Sequence, residues 1–310
     1  MGEPVYAKIA VVGCGLIGSS VVRAARESGV AGRIAVAETS PVARERIVAL
    51  ELADAVFEDA AEAVADADLV LFAVPVMSME TAARAAAPGL KPGVTITDVG
   101  SVKQHVAHAL IAAVPDTAFV IPGHPIAGTE QSGPDAGFAE LFQNRWTILT
   151  PQARDDAPYR EAVARLSAFW SGIGARVEEM DAKHHDLVLA ITSHLPHLIA
   201  YNIVGTAADL EGVAEAEVMK YSAGGFRDFT RIAASDPTMW RDVFLTNKDA
   251  VLEVLGRFTE DLQALSRAIR WGEGDKLFEL FSRTREIRRG IVAMGQESAE
   301  PNFGRDRGKH

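Results

Sequence analysis

The feature that most constrains this chain is a change of periodicity near residue 181. Before it, short β-branched and apolar runs alternate with Ala-rich stretches of helical character. The runs are KIAVVG (8–13), RIAVAE (33–38), DLVLFAVP (68–75), GVTITDVG (93–100), AFVIPG (118–123), RWTILT (145–150) and ARVEEM (175–180). Apolar strands separated by helices predict an α/β domain whose mainly parallel sheet is covered on both faces. After Asp181 no further strand pattern occurs. Residues 181–209 read as one long helix, apolar nearly all round between Leu187 and Val204, which predicts burial on every side. A polar connection, KYSAGGFRDFTRIAASDP, leads to two more helices. Leu255, Phe258, Leu262, Leu265 and Ile269 form a stripe at 3–4–3–4 spacing, the mark of a helix packed on others. The expected division is 1–180, an all-α segment 181–296, and a flexible tail 297–310.

Charge narrows the partners. The 310 residues include 31 basic and 42 acidic side chains, a net charge of −11. Such a chain is poorly suited to nucleic acid or to a membrane surface. The single cysteine, Cys14, excludes an intrachain disulfide. No basic-then-apolar leader is visible, and no apolar run is expected to reach the roughly 18 residues that span a bilayer. A cytoplasmic protein is the expectation.

VVGCGLIGSS places Gly13, Gly15 and Gly18 in a G-x-G-x-x-G frame between a strand and a helix. Gly13 permits the tight turn, Gly15 leaves room for a pyrophosphate, and Gly18 lets helix and strand approach. This is the frame of a Rossmann-type domain, with Leu16 and Ile17 inside it and Val74 and Pro75 closing a neighbouring strand. Glu38 ends the second strand, 20 residues after Gly18. A carboxylate there accepts from ribose hydroxyls and repels a 2′-phosphate, so NAD is the expected cofactor and NADP the less favoured one.

Ligands of such sheets bind at the carboxyl ends of the strands. Two loops qualify, DVGSVK (98–103) and GHPIAGTEQSGPDAG (123–137). His124 follows a strand and precedes Pro125, which holds it extended. A neutral imidazole there can accept a hydroxyl proton, with Ser101 bonding the same hydroxyl or orienting the ring. Capping of a local carbonyl is the alternative role for His124. In the helical half, His194 and His197 share a helix face, and Pro196 predicts a kink. His184 and His185 nearby could suggest a metal, but no Cys or carboxylate stands at a typical ligand spacing, and no metal is expected. Between Lys220 and Arg241 lie four basic and two acidic residues. This segment reads either as a solvated loop or as a carboxylate clamp built on Arg231.

GCGLIGSS, TDVGSVK, GHPIAGTEQSGPDAG, HHDLVLAITSHLPH and GGFRDFTRIAASDPTMW, in this order over roughly residues 8–250, resemble the prephenate dehydrogenase family, which includes arogenate and cyclohexadienyl dehydrogenases. The resemblance implies NAD-dependent oxidative decarboxylation of a cyclohexadiene with a ring carboxylate, a 4-hydroxyl and a three-carbon side chain, a step of tyrosine biosynthesis. It implies that His124 is the catalytic histidine, with Ser101 beside it. It implies that Arg231 and His197 bind substrate carboxylate, and that His194 and Trp240 belong to the pocket. Thr129 and Glu130 fall at the mouth of the site. The all-α segment would form a homodimer, with Arg227 and Asp228 where the partner approaches. Two rivals stand beside this. One is a hydroxy-acid dehydrogenase of the same architecture using a lysine base, for which Lys220 is the sole candidate. The other is a catalytically inactive NAD-binding module.

Overall fold

The computed structural model describes residues 3–129, 131–209 and 224–293. Glu130, Lys220 and the tail 297–310 lie outside the described residues.

The strands are β1 (Tyr6–Val12), β2 (Ala31–Ala37), β3 (Ala55–Phe57), β4 (Leu69–Phe72), β5 (Thr95–Asp98), β6 (Phe119–Val120), β7 (Gly123–Pro125), β8 (Trp146–Leu149) and β9 (Arg176–Glu179). The main helices are α1 (Leu16–Ser28), α2 (Pro41–Ala49), α3 (Ala60–Val64), α4 (Met79–Ala86), α5 (Lys103–Ala113), α6 (Ala157–Gly172), α7 (Ala182–Leu189), α8 (Leu195–Asp209), α9 (Gly224–Thr230), α10 (Pro237–Thr246), α11 (Lys248–Arg270) and α12 (Gly274–Ala293). Six strands form one sheet in the order β3-β2-β1-β4-β5-β6, every pair parallel. The order reverses direction between β1 and β4, where a doubly wound sheet opens its ligand crevice.

Alternation along β1 builds both cores. Ile9 and Val11 join Tyr159, Phe169 and Trp170 of α6 on one face, while Ala10 and Val12 join Met79 and Ala83 of α4 and Val106 of α5 on the other. With both faces covered, the strands are predominantly apolar, as the sequence predicts.

Three expectations are corrected. AFVIPG is not one strand. Pro122 has no N–H to continue a ladder, so the run divides into β6 of the parallel sheet and β7 of a second sheet. That sheet has the order β7-β8-β9, with β7 antiparallel to β8 and β9 parallel to it. The second correction concerns residues 181–209. The helix is interrupted by a π turn at Ala190–His194, immediately before Pro196. The backbone widens where proline removes a donor and its ring crowds the preceding turn. This segment is not buried on every side either, since Ile191, Ile203 and Val204 are exposed in the single chain. Third, Ala182–Asp209 is apolar and long enough to cross a bilayer by composition alone, with mean hydropathy 1.5. Its π turn and its buried, hydrogen-bonded polar groups make it the wall of a site.

Two compact units are present, Met1–Leu252 and Glu253–His310. The first contains both sheets and every candidate site residue described below. In the second, Leu255, Phe258 and Leu265 of the apolar stripe are half-buried, whereas Leu262 and Ile269 are exposed.

Candidate active site

The glycine frame sits at the crevice of the main sheet. Gly13 has φ +87°, and a Cβ there would meet the Ala73 carbonyl oxygen at 2.7 Å and a Val74 methyl at 2.8 Å. A Cβ on Gly18 would meet the Gly13 carbonyl oxygen at 2.2 Å. Both glycines are therefore required by the contact between the turn, α1 and the strand end that leads to Val74 and Pro75. At Gly15 a Cβ would meet nothing within 4 Å. Its open side lies at the N-cap of α1, whose orphan amides favour an anion. Leu16 is buried and Ile17 half-buried beneath the frame. Glu38 accepts from Cys14 N through Oε2 and from Ser40 N through Oε1, both at 3.0 Å. Its carboxylate is thus fixed at the tip of β2, one strand from the frame. Open space at Gly15, a helix N-terminus and an anchored carboxylate together fit an adenine dinucleotide. Replacing Glu38 with Ala should raise the NADP/NAD ratio of kcat/KM by at least about tenfold, the scale of a charge-assisted hydrogen bond. Steady-state kinetics with both cofactors checks this, and an unchanged ratio would place the ribose contact elsewhere.

β7 carries His124 to the carboxyl edge of the main sheet, and a buried ion pair holds it there. Asp98, at the end of β5, accepts from Gly100 N at 2.6 Å, from Gly123 N at 3.1 Å and from Lys103 Nζ. Lys103 Nζ also donates to the Gly123 carbonyl oxygen at 2.5 Å. The residue before His124 is therefore clamped at both its N–H and its C=O. Both ion-pair side chains are fully buried. Burial pushes the Asp98 carboxyl up and the Lys103 ammonium down, and each partner's charge offsets the effect on the other.

A second chain of bonds reaches His124 from the helical half. Its Nδ1 lies 2.9 Å from His185 Nε2. His185 Nδ1 lies 2.9 Å from Asp186 Oδ1. Asp186 also accepts from Lys103 N at 2.7 Å and Gln104 N at 3.0 Å. The reason is local to α5. Its N-cap is Val102, which has no acceptor side chain, so a carboxylate from another helix satisfies its first two amides. Burial raises the Asp186 carboxyl, but the hydrogen bonds from His185, Lys103 and Gln104 outweigh it and leave the group below its ordinary value. Burial lowers the His185 imidazole against the opposing pull of Asp186. His124, although half-exposed at its rim, is lowered well below 6.5, first by burial and then by His185, Lys103 and His194.

The π turn supplies the third group. Asn247 Nδ2 donates to the Asp186 carbonyl oxygen at 2.9 Å and lies 3.0 Å from His194 Nδ1. The amide donor assigns His194 the Nε2–H tautomer. That Nε2 is buried without a partner, as is Trp240 Nε1. Burial pushes the His194 imidazole down to about 4. His197 bonds the Ser193 carbonyl oxygen at 2.8 Å through Nδ1 and stacks on Trp240, with ring centroids 3.6 Å apart. Trp240 packs in turn on Val102, the neighbour of half-buried Ser101. Burial lowers the His197 imidazole, the bond to the Ser193 carbonyl opposes it, and the Arg231 charge lowers it further.

The structure thus gathers His124, His194, His197 and Trp240 around the β5 loop. Thr129 is exposed and accepts from Gln131 N at 3.2 Å, while Arg227 is exposed and pairs with Asp228 at 3.7 Å. Among the described residues, no hydrogen bond ties either to the histidines. The sequence missed Lys103, His185, Asp186 and Asn247. For three of them the signal was present, since Lys103 closes DVGSVK and His185 and Asp186 lie at the head of HHDLVLAITSHLPH.

Known proteins match this architecture. The family model for prephenate dehydrogenase, nucleotide-binding domain, matches residues 21–179, and that for prephenate dehydrogenase, dimerization domain, matches 181–283. A cyclohexadienyl dehydrogenase of Zymomonas mobilis is 46% identical over 284 residues, covering 92% of this chain and 96% of its own. A prephenate dehydrogenase of Bacillus subtilis is 33% identical, over 95% of this chain and 78% of its own. The crystal structure of prephenate dehydrogenase from A. aeolicus in complex with hydroxyphenyl propionate and NAD+ superposes with a TM-score of 0.85 at 32% identity, over 92% of this chain and 98% of that one. With both halves of the chain matched by the same family and the site assembled at their meeting, the protein belongs to the prephenate dehydrogenase family.

Proposed function

We propose that the protein is an NAD-dependent dehydrogenase that converts prephenate, arogenate or both to 4-hydroxyphenylpyruvate or tyrosine with loss of carbon dioxide. The observation that carries this reading is a neutral imidazole, His124, clamped at the carboxyl edge of the sheet beside the dinucleotide crevice. Bound NAD would supply the acceptor for the hydride of the hydroxyl-bearing ring carbon. His124 accepts the hydroxyl proton, and Ser101 bonds the same oxygen. The ring carboxylate leaves as carbon dioxide, its bonding electrons complete the aromatic ring, and the proton held by His124 returns to the ring oxygen, so the chain's own task is to bind, orient and carry one proton off and back.

Residues 1–180 then hold the dinucleotide through Gly13, Gly15, Leu16, Ile17, Gly18, Glu38, Val74 and Pro75. Residues 181–296 bind substrate and form a homodimer. The exposed apolar positions Ile191, Ile203, Val204, Leu262 and Ile269 support that second role, since a partner subunit would cover them. Arg231 and His197 receive substrate carboxylate, His194 and Trp240 line the pocket with fixed N–H donors, Thr129 and Glu130 stand at its mouth, and Arg227 meets the partner. A soluble, cytoplasmic enzyme fits this role. Arg231→Gln should raise KM about 10- to 100-fold with a smaller change in kcat, the effect of losing one charge-assisted bond to a carboxylate. Initial NADH formation rates with prephenate and with arogenate, in parallel, test both the clamp and the activity. Turnover of neither, with turnover of a simple 3-hydroxy acid, would overturn the reading.

A further inference from the structure

We propose that His185, oriented by Asp186, is a positioning residue that fixes His124 in the tautomer whose Nε2 is free to accept a proton. The inference deepens the reading of His124 as the base and rests on it. The argument is one of donors and acceptors. Asp186 Oδ1 already accepts from Lys103 N at 2.7 Å, and an ionised carboxylate has no hydrogen to give. At 2.9 Å, His185 Nδ1 must therefore be the donor in that contact. A neutral imidazole protonated at Nδ1 has a bare Nε2. His185 Nε2 is thus an acceptor, and the 2.9 Å contact to it requires that His124 Nδ1 carry a hydrogen. The only ring nitrogen of His124 left with a lone pair is Nε2, the atom a base needs.

Geometry makes this assignment rigid. His185 and Asp186 are 0% and 1% exposed, so water does not offer the rings an alternative partner. Asp186 is held at both of its oxygens by the first amides of α5, and its own carbonyl oxygen is held by Asn247. The two rings meet edge to face, with centroids 5.1 Å apart. The chain Asp186–His185–His124 therefore transmits one carboxylate's demand for a hydrogen through two rings to the reacting end of the second. In its absence a free imidazole would distribute its hydrogen between both nitrogens, and the fraction carrying Nε2–H would be unable to act as base.

Two substitutions separate this role from simple packing. His185→Gln retains a side-chain oxygen that can accept from His124 Nδ1–H. His185→Phe fills a similar volume with no acceptor. The expected result is a kcat within about tenfold of wild type for Gln and at least about 100-fold lower for Phe, the scale of general-base catalysis, with NAD dissociation constants unchanged in both. A readout independent of substrate comes from 15N-histidine-labelled enzyme. With eight histidines in the chain, the His124 signals are identified by their loss in His124→Asn. Wild type and His185→Gln should show His124 with hydrogen on Nδ1 and none on Nε2. A His124 Nε2–H signal in the wild type, or equal kcat for the Gln and Phe variants, would overturn the proposal. If instead the spectrum is as expected and neither prephenate nor arogenate is turned over, the tautomer assignment stands and the functional reading fails.

Discussion

His124→Asn should lower kcat by about 10²–10⁴, the contribution of a positioned general base, while the dissociation constant for NAD stays at its wild-type value. The separation follows from the fold. The glycine frame and Glu38 lie at the ends of β1 and β2 and the start of α1, whereas His124 lies on β7, in a different sheet. Asparagine keeps a short polar side chain and the extended backbone before Pro125, so the change removes the proton acceptor and little else. The pH profile carries a second expectation. The groups facing His124 are His185 on α7, Lys103 on α5 and His194 in the π turn. Burial first, then these neighbours, disfavour the imidazolium, so the ring remains a competent base as pH falls past 6.5. The acid limb of kcat/KM should therefore lie below 6.5 in the wild type and be absent from the Asn variant. A variant within tenfold of wild-type kcat would remove His124 from the role of base.

Much of the fold could be read from short-range pattern. The strands of the main sheet announce themselves because both faces are covered and most of their residues are apolar. The glycine frame is legible because its three glycines fall at fixed spacing between a strand and a helix, even though what Gly13 packs against, Ala73 and Val74, lies about sixty residues away. β3 was not, since Ala55–Phe57 is three residues long and only half-buried. β7 was hidden inside a segment whose Gly and Pro content reads as loop. It becomes a strand because β8 offers a ladder, with Ile126 N donating to the Trp146 carbonyl oxygen at 2.7 Å just beyond it.

The site divides the same way. His124 was legible from its place at a strand end. Its supports were not, because His185 is 61 residues away and Asp186 bonds an amide 83 residues from itself. HHD reads as satisfied buried histidines or, less well, as metal ligands until α5 is seen to begin without a capping side chain. The long apolar helix misled for a related reason. A single chain gives no means to distinguish a face buried in its own core from one that stays exposed, as Ile191 and Val204 do here.

Lys103→Met should lower the free energy of unfolding by about 3–5 kcal/mol, the cost of leaving one partner of a buried pair uncompensated. Methionine fills the aliphatic volume, so the loss reports on charge. Asp98 retains Gly100 N and Gly123 N as donors but loses its cation, and the Gly123 carbonyl oxygen loses the bond from Nζ. Equilibrium urea denaturation of the wild type and variant measures the difference, and a loss under about 1 kcal/mol would show that the pair is not held as a charged unit. The double substitution Asp98→Asn with Lys103→Met distinguishes stability from positioning. With no charge left to bury, it should recover part of the lost stability, because a neutral replacement of a buried pair is tolerated better than half of one. It should not recover kcat to the same degree. The Gly123 carbonyl remains without its donor in the double variant, and that carbonyl is the last atom group before His124 that the ion pair holds. Recovery of both together would mean that the ion pair serves the core alone, and that β7 keeps His124 in place through its ladder with β8.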